Sequence, residues 1–259
     1  GLCGALGRIS VIDRDELERQ LAKILGRLQK AQLTRLLEYL GDPPRIENVP
    51  TEFWEEVGKE LLEALAPFLA KIYLTEAEAL LRANPAIGVD WALVNEAAST
   101  WARQYTYDLV RGITDHSRGA LQRAVGDFFS EALTRGELES RLSGLFGPIR
   151  AEMIAVTEVT RAAAEGQQGL VTEVAAVGIE MIDSWSTRND ELVCPICGPL
   201  HGRDADGYDA GRTPYWVHPT SGERYGKPPA HPRCRCSDQW RLPATPSGAT
   251  PFRGDEGVP

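Results

Sequence analysis

Two short segments, CPIC at 194–197 and HPRC at 231–234, share one pattern: a metal-ligating side chain, a proline, one residue, then a second ligating side chain. Four of the chain's five cysteines lie between residues 194 and 236. A two-residue gap lets both side chains of a tight turn point at one ion, and two such turns supply the four donors of tetrahedral zinc. Proline after the first ligand stiffens each turn, and Gly198 is free to take a left-handed conformation behind the first. The spacing selects Cys194, Cys197, His231 and Cys234, with Cys236 as the alternative to Cys234. A Cys-x-Cys pair in an extended strand turns its thiols to opposite faces, which disfavours both on one ion.

Two other chemistries use the same residues. A pair of disulfides would need an oxidising compartment, and the N-terminal residues GLCGALGRIS lack the charged start and long apolar stretch of a secretion signal. A Cys-x-x-Cys redox site sits at a helix start in a βαβ setting, which this region does not spell out. A catalytic zinc keeps one position open for water, whereas four candidate ligands close the sphere. The deaminase pattern is half present, since CPIC has no preceding His-x-Glu. The zinc is therefore expected to be structural. The region is rich in Gly, Pro and Asp and is expected to lack a core of its own, so ion binding would supply about 10 kcal/mol of folding free energy.

Upstream the texture is helical. Leu17, Leu21, Ile24, Leu25, Leu28, Leu36, Leu37 and Leu40 recur at three-and-four spacing, with Asp13 and Glu16 as an acidic first turn and GDPPR as the stop. A second helix is predicted from Thr51 to Arg82, kinked or broken at Pro67. A third begins at Asp90 and aligns Trp91, Val94, Ala98, Trp101 and Tyr105. A shorter helix is predicted around Leu121, Val125, Phe128 and Phe129. TRGE at 134–137 is a capping box for another, and Pro148 opens a last one running to about Ala176 and stopped by Gly178. IEMIDSWST then alternates as a strand. The expected class is mainly α with a small C-terminal α+β zinc-binding module. The expected divisions are a helical region 1–147, a zinc-stabilised domain 148–241 and a Pro/Gly-rich tail 242–259, read as an extended or disordered arm.

Charge narrows the partners. Residues 1–184 carry 19 Lys+Arg against 28 Asp+Glu, while residues 185–241 carry 8 against 7. An acidic body is a poor phosphate binder, so any DNA contact must be confined to a small patch, with Arg233, Arg235, Lys227 and Arg241 as its cations. No run of 18 apolar residues is present to span a membrane. In TEVTRAAAEG at 157–166, Glu158, Arg161 and Glu165 are spaced for ion pairs along a helix. His201 and His218 read as turn or hydrogen-bonding histidines, or as the base of a nuclease-like site. Cys3 and His116 stand alone.

Taken together, TEVTRAAAEGQQG, WSTRNDELVCPICGPLHG and KPPAHPRCRC resemble the C-terminal domain of the Mu F-like head morphogenesis proteins of tailed bacteriophages. The resemblance rests on Thr157, Glu158, Arg161 and Ala162, on Trp185 and Thr187, on Asp190 through Cys197, on Leu200 and Gly202, and on Pro228 through Cys236. It implies a minor head protein that is not an enzyme, associated with the portal protein and with capsid or scaffold proteins. Such a protein acts in head assembly, DNA packaging or ejection. It is found in the virion, in the head interior or at the portal vertex, and in the host cytoplasm during assembly. The competing expectations are a metal-dependent nuclease and a DNA-binding zinc module.

Overall fold

The computed structural model describes residues 13–85 and 87–243, so Cys3 and residues 244–259 of the expected tail lie outside the described residues. Five helices come first: α1 (Arg14–Leu40), α2 (Thr51–Ala83), α3 (Trp91–Ser130), α4 (Arg135–Leu145) and α5 (Pro148–Ala176). Five short strands follow: β1 (Ile182–Ser186), β2 (Gly207–Tyr208), β3 (Pro214–Val217), β4 (Arg224–Gly226) and β5 (Ser237–Arg241). Strands β1 and β5 pair antiparallel, with Trp185 opposite Asp238 and Asp183 opposite Trp240. Strands β2, β3 and β4 form a separate antiparallel meander. The mainly helical class with a small C-terminal sheet region agrees with the sequence.

Helix ends fall where the capping chemistry puts them. Asp13 accepts from the Glu16 N–H at 3.2 Å, and Asp90 accepts from the Ala92 N–H at 2.9 Å. Thr134 and Glu137 close a reciprocal capping box, Pro148 occupies the first turn of α5, and Gly178 sits at φ +85° just past its end.

One expectation fails, and of the kink or break expected at Pro67 the break does not occur. Helix α2 runs unbroken through Pro67, because Pro67 lies on the exposed face, where the carbonyl it leaves unpaired meets water. Leu65 and Leu69, on either side in sequence, are fully buried and hold the helix against its neighbours. Helix α3 is one 40-residue element rather than two. Gly112, Gly119 and Gly126 weaken it by about 1 kcal/mol each relative to alanine but do not break it. Its buried stripe continues through Ala102, Thr106, Val110, Ser117, Leu121 and Val125.

The main core joins α1, α2 and α5, with contributions from α3 and α4. Residues of α5, among them Ala155, Val159 and Ala163, are wholly buried in that core. Helices α2 and α5 cross closely: a Cβ on Gly166 would lie 2.1 Å from the Tyr73 carbonyl oxygen. A second cluster carries Leu170, Val171 and Val174 of α5 together with Met181 and Trp240 of the C-terminal region. Helix α5 therefore belongs to the body along one length and to the module along another.

The module also has a core, contrary to expectation. Trp185 and Trp216 are fully buried in edge-to-face contact at 5.1 Å between centroids, with Leu200, Cys197, Cys234 and Cys236 around them. The two tryptophans come from strands 31 positions apart in different sheets, a pairing that local periodicity does not reveal.

Candidate metal centre

The first turn is built by backbone hydrogen bonds that wrap Cys194. The Gly198 N–H donates to the Cys194 carbonyl at 2.9 Å, and the Cys197 N–H points at Cys194 Sγ at 3.4 Å. Gly198 does not take the left-handed conformation expected of it; it starts a 3-10 turn, Gly198–Leu200. The positive φ falls in the second turn instead, at Arg233 (φ +62°). There the Cys234 N–H closes onto the His231 carbonyl at 3.1 Å.

These turns converge. Cys194 Sγ lies 3.1 Å and Cys197 Sγ 3.3 Å from His231 Nε2, and Cys197 Sγ lies 3.8 Å from Cys234 Sγ. A zinc ion with bonds of about 2.3 Å to sulfur and 2.0–2.1 Å to nitrogen has tetrahedral edges of about 3.8 Å for S···S and about 3.6 Å for S···N. The observed separations match those edges within about half an ångström. His231 is also in the right tautomer: Nδ1–H donates to the Pro232 carbonyl at 2.8 Å, which leaves the Nε2 lone pair facing two sulfurs. All four cysteines are free thiols, so no disulfide links the two turns.

The donors form two overlapping triads, Cys194–Cys197–His231 and Cys197–Cys234–Cys236, with Cys197 common to both. Cys236 is thus nearer the cluster than expected. Residues 234–236 precede β5 rather than lying in it, so the alternation of an extended strand does not apply.

Electrostatics follow from crowding of thiols. Hydrogen bonds from Cys197 and Cys236 hold the Cys234 thiol far below the usual thiol range, while the Cys197 thiol, beside Cys234 and Cys236, is pushed far up. Burial would raise Cys194, but N–H groups of Cys197 and Ile196 outweigh it and lower it. Burial would lower His231; the Pro232 carbonyl and the Cys234 and Cys194 sulfurs outweigh it and raise it. A bound cation would favour the deprotonated sulfurs further.

The remaining candidates take other work. His201 Nδ1 accepts from the Thr187 N–H at 3.0 Å, tying the turn after β1 to the loop after the first turn. His218 Nδ1 accepts from the N–H groups of Thr220 and Ser221, and its Nε2 lies 3.4 Å from the Pro195 carbonyl. Each cation named for DNA contact faces an acid: Arg235 to Asp190 at 2.6 Å, Lys227 to Glu165 at 2.9 Å, Arg241 to Asp204 at 2.7 Å and Arg233 to Glu152 at 3.9 Å.

Sequence reasoning missed three features that fasten this cluster. The Tyr105 hydroxyl donates to buried Glu158 at 2.6 Å with Arg161 3.5 Å from the same oxygen, so the expected helix-surface ion pair is a junction with α3. Arg188 reaches back to Asp15 and, at 3.3 Å, to Glu18 of α1. Asp183 and Asp238 are buried side by side, with Asp183 Oδ2 and both oxygens of Asp238 unpaired by any N–H or O–H donor. Burial and the facing carboxyl raise Asp183 to about 10, and burial raises Asp238 to about 7, as expected of two carboxyl groups sharing a proton. A strand signal alone gives no reason to place an acid on the inward face.

Comparison with curated proteins gives no match, and neither does comparison with solved structures. Residues 123–238 match the family model described as Phage Mu protein F like protein. The matched segment begins inside α3, takes in α4 and α5, and ends in β5, so it contains both cysteine turns and the helix that carries Thr157 through Glu165. Across that segment the chain is similar to the phage Mu protein F like family.

Proposed function

We propose that the chain is a structural minor head protein of a tailed bacteriophage. In this reading it associates with the portal, acts in head assembly, packaging or ejection, and has a C-terminal module closed by one zinc ion. The match of residues 123–238 to the phage Mu protein F like family supports a role in phage head morphogenesis. Cys194, Cys197, His231 and Cys234 would hold the ion, with Cys236 as the alternative to Cys234. The observation that carries the metal reading is the meeting of His231 Nε2 with two sulfurs at 3.1 and 3.3 Å, beside a third sulfur at 3.8 Å from Cys197. The ion's role is to cross-link turns whose core is only a few side chains deep.

The enzyme and DNA-binding readings have less support. His201 and His218 each spend a ring nitrogen on loop N–H groups. Lys227, Arg233, Arg235 and Arg241 all face carboxylates, which lowers the charge left for phosphate. Among the described residues, no helix is long and apolar enough to cross a membrane.

Two measurements test the proposal. Elemental analysis of purified full chain should give one zinc per molecule, lost on Cys194→Ser with Cys197→Ser; a metal-free wild type removes the zinc. Co-expression with the portal protein of the same phage should give a complex that survives size-exclusion chromatography. Separate elution of the two proteins removes the portal association.

A further inference from the structure

Helix α5 touches the second cysteine turn through two hydroxyls three residues apart. The Arg233 N–H donates to Thr157 Oγ1 at 3.0 Å, and that hydroxyl donates in turn to the Met153 carbonyl at 2.7 Å. The Thr160 hydroxyl donates to the Cys234 carbonyl at 2.8 Å; Thr160 is 1% exposed, and this is the bond its hydroxyl makes. The two contacts bracket Cys234: one holds the N–H of the residue before it, the other its own carbonyl. Arg233 also needs holding, because a non-glycine residue at φ +62° is strained. The neighbouring positions Glu158 and Arg161 turn away from the turn, toward Tyr105 of α3. One helical segment thus grips the turn with one face and the body with the other.

We infer that Thr160 is a positioning residue for the zinc site: through the Cys234 carbonyl it sets the direction of the Cys234 sulfur, and Thr157 supports the strained Arg233 beside it. The inference rests on the zinc reading proposed above. Groups that orient ligands without touching the ion commonly change metal affinity by 10–100-fold when lost. Valine has the size of threonine without the hydroxyl, so Thr160→Val removes the bond and keeps the packing. Thr172 supplies a control. Its hydroxyl, on the same helix, lies 3.0 Å from the Gly211 carbonyl, which also belongs to the module but not to the cysteine turns.

The experiment is competition for zinc between full-length protein and a chromogenic chelator, for wild type, Thr160→Val, Thr160→Ser and Thr172→Val. Cobalt(II) spectra of each protein report ligand geometry. Circular dichroism at saturating zinc checks that all four are folded. The inference expects Thr160→Val to bind at least 10-fold more weakly with shifted cobalt bands, Thr160→Ser to recover most of the loss, and Thr172→Val to match wild type. Equal affinity of Thr160→Val and wild type overturns the positioning role and leaves the zinc reading standing. Equal weakening in Thr160→Val and Thr172→Val also overturns it, by showing general docking instead. A wild type that takes up no zinc overturns both.

Discussion

The helical body and the C-terminal module solve the same problem with different means. In the body, Leu21, Leu25, Leu36, Leu61, Leu65 and Leu69 are buried on long helices, and no single contact closes the structure. In the module, two tryptophans and three buried thiols form the core, and the strands around them run two to five residues. Apolar burial scales with area and spreads its effect over many side chains. A donor cluster concentrates the effect at one point, which gives a short segment a fixed shape but makes that shape conditional. Helix α5 is where the two regimes meet.

If the module holds the proposed zinc, stripping it should give the largest effect and the sharpest test of the contrast. It should remove stabilisation of about 10 kcal/mol from the module. The share of the near-ultraviolet circular dichroism that Trp185 and Trp216 contribute should be lost while far-ultraviolet helicity is largely retained. Loss of helicity in step with the tryptophan signal would show that body and module are one cooperative unit and would end the comparison as drawn.

Gly166→Ala attacks the body at a tight crossing, where the new Cβ would lie 2.1 Å from the Tyr73 carbonyl oxygen. The backbone of α2 must move, at about 3 kcal/mol. Thermal denaturation of the zinc-loaded protein should show the body melting earlier, with zinc stoichiometry unchanged.

A pH dependence should come from Asp183 and Asp238. Their folded-state values, about 10 and about 7, lie above the ordinary carboxyl value of 3.8, so the folded chain keeps protons that the unfolded chain releases. The contribution to stability is whole below pH 4 and is lost as pH rises toward 7 and then 10. The slope is about 1.4 kcal/mol per pH unit while the difference is one proton. Asp183→Asn should flatten the difference in urea midpoint between pH 5 and pH 9 relative to wild type. Both proteins carry the same cysteines, so thiol titration cancels. Parallel curves would dismiss the shared proton.

The smallest expected change is a gain. Gln29 is 2% exposed, and neither of its amide atoms has a partner. Gln29→Met keeps the volume and removes the desolvated amide, which should raise stability by about 1 kcal/mol. A lower melting temperature would show that the amide is satisfied in solution.

What the sequence discloses follows the range of the interaction. Caps at Asp13, Asp90 and Thr134, the first-turn Pro148 and the stop at Gly178 act within a few residues, and all are readable. The two cysteine turns are readable as a pair because their internal spacing is local, though their approach is not. The break allowed for at Pro67 and the length of α3 mislead, because burial on the far face outweighs a local weakness. The contacts of Thr157 and Thr160 with the second cysteine turn are invisible: a threonine in a helix bonds its own preceding turn as readily as a distant loop. Trp185 with Trp216, and Asp183 with Asp238, are partners only once the chain has folded back on itself.

That folding back has a consequence for the order of events during synthesis. Arg188 binds Asp15 and Glu18, and α1 shares its main core with α5, which ends at Ala176. Helix α1 can meet α2 soon after it leaves the ribosome, but the share of its leucine stripe that α5 covers waits for more than a hundred further residues. At translation rates of about 5–20 residues per second, the delay is on the order of ten seconds. During that interval part of the apolar face of α1 lacks its final partner, and a chaperone or a neighbouring nascent chain has an opportunity to engage it.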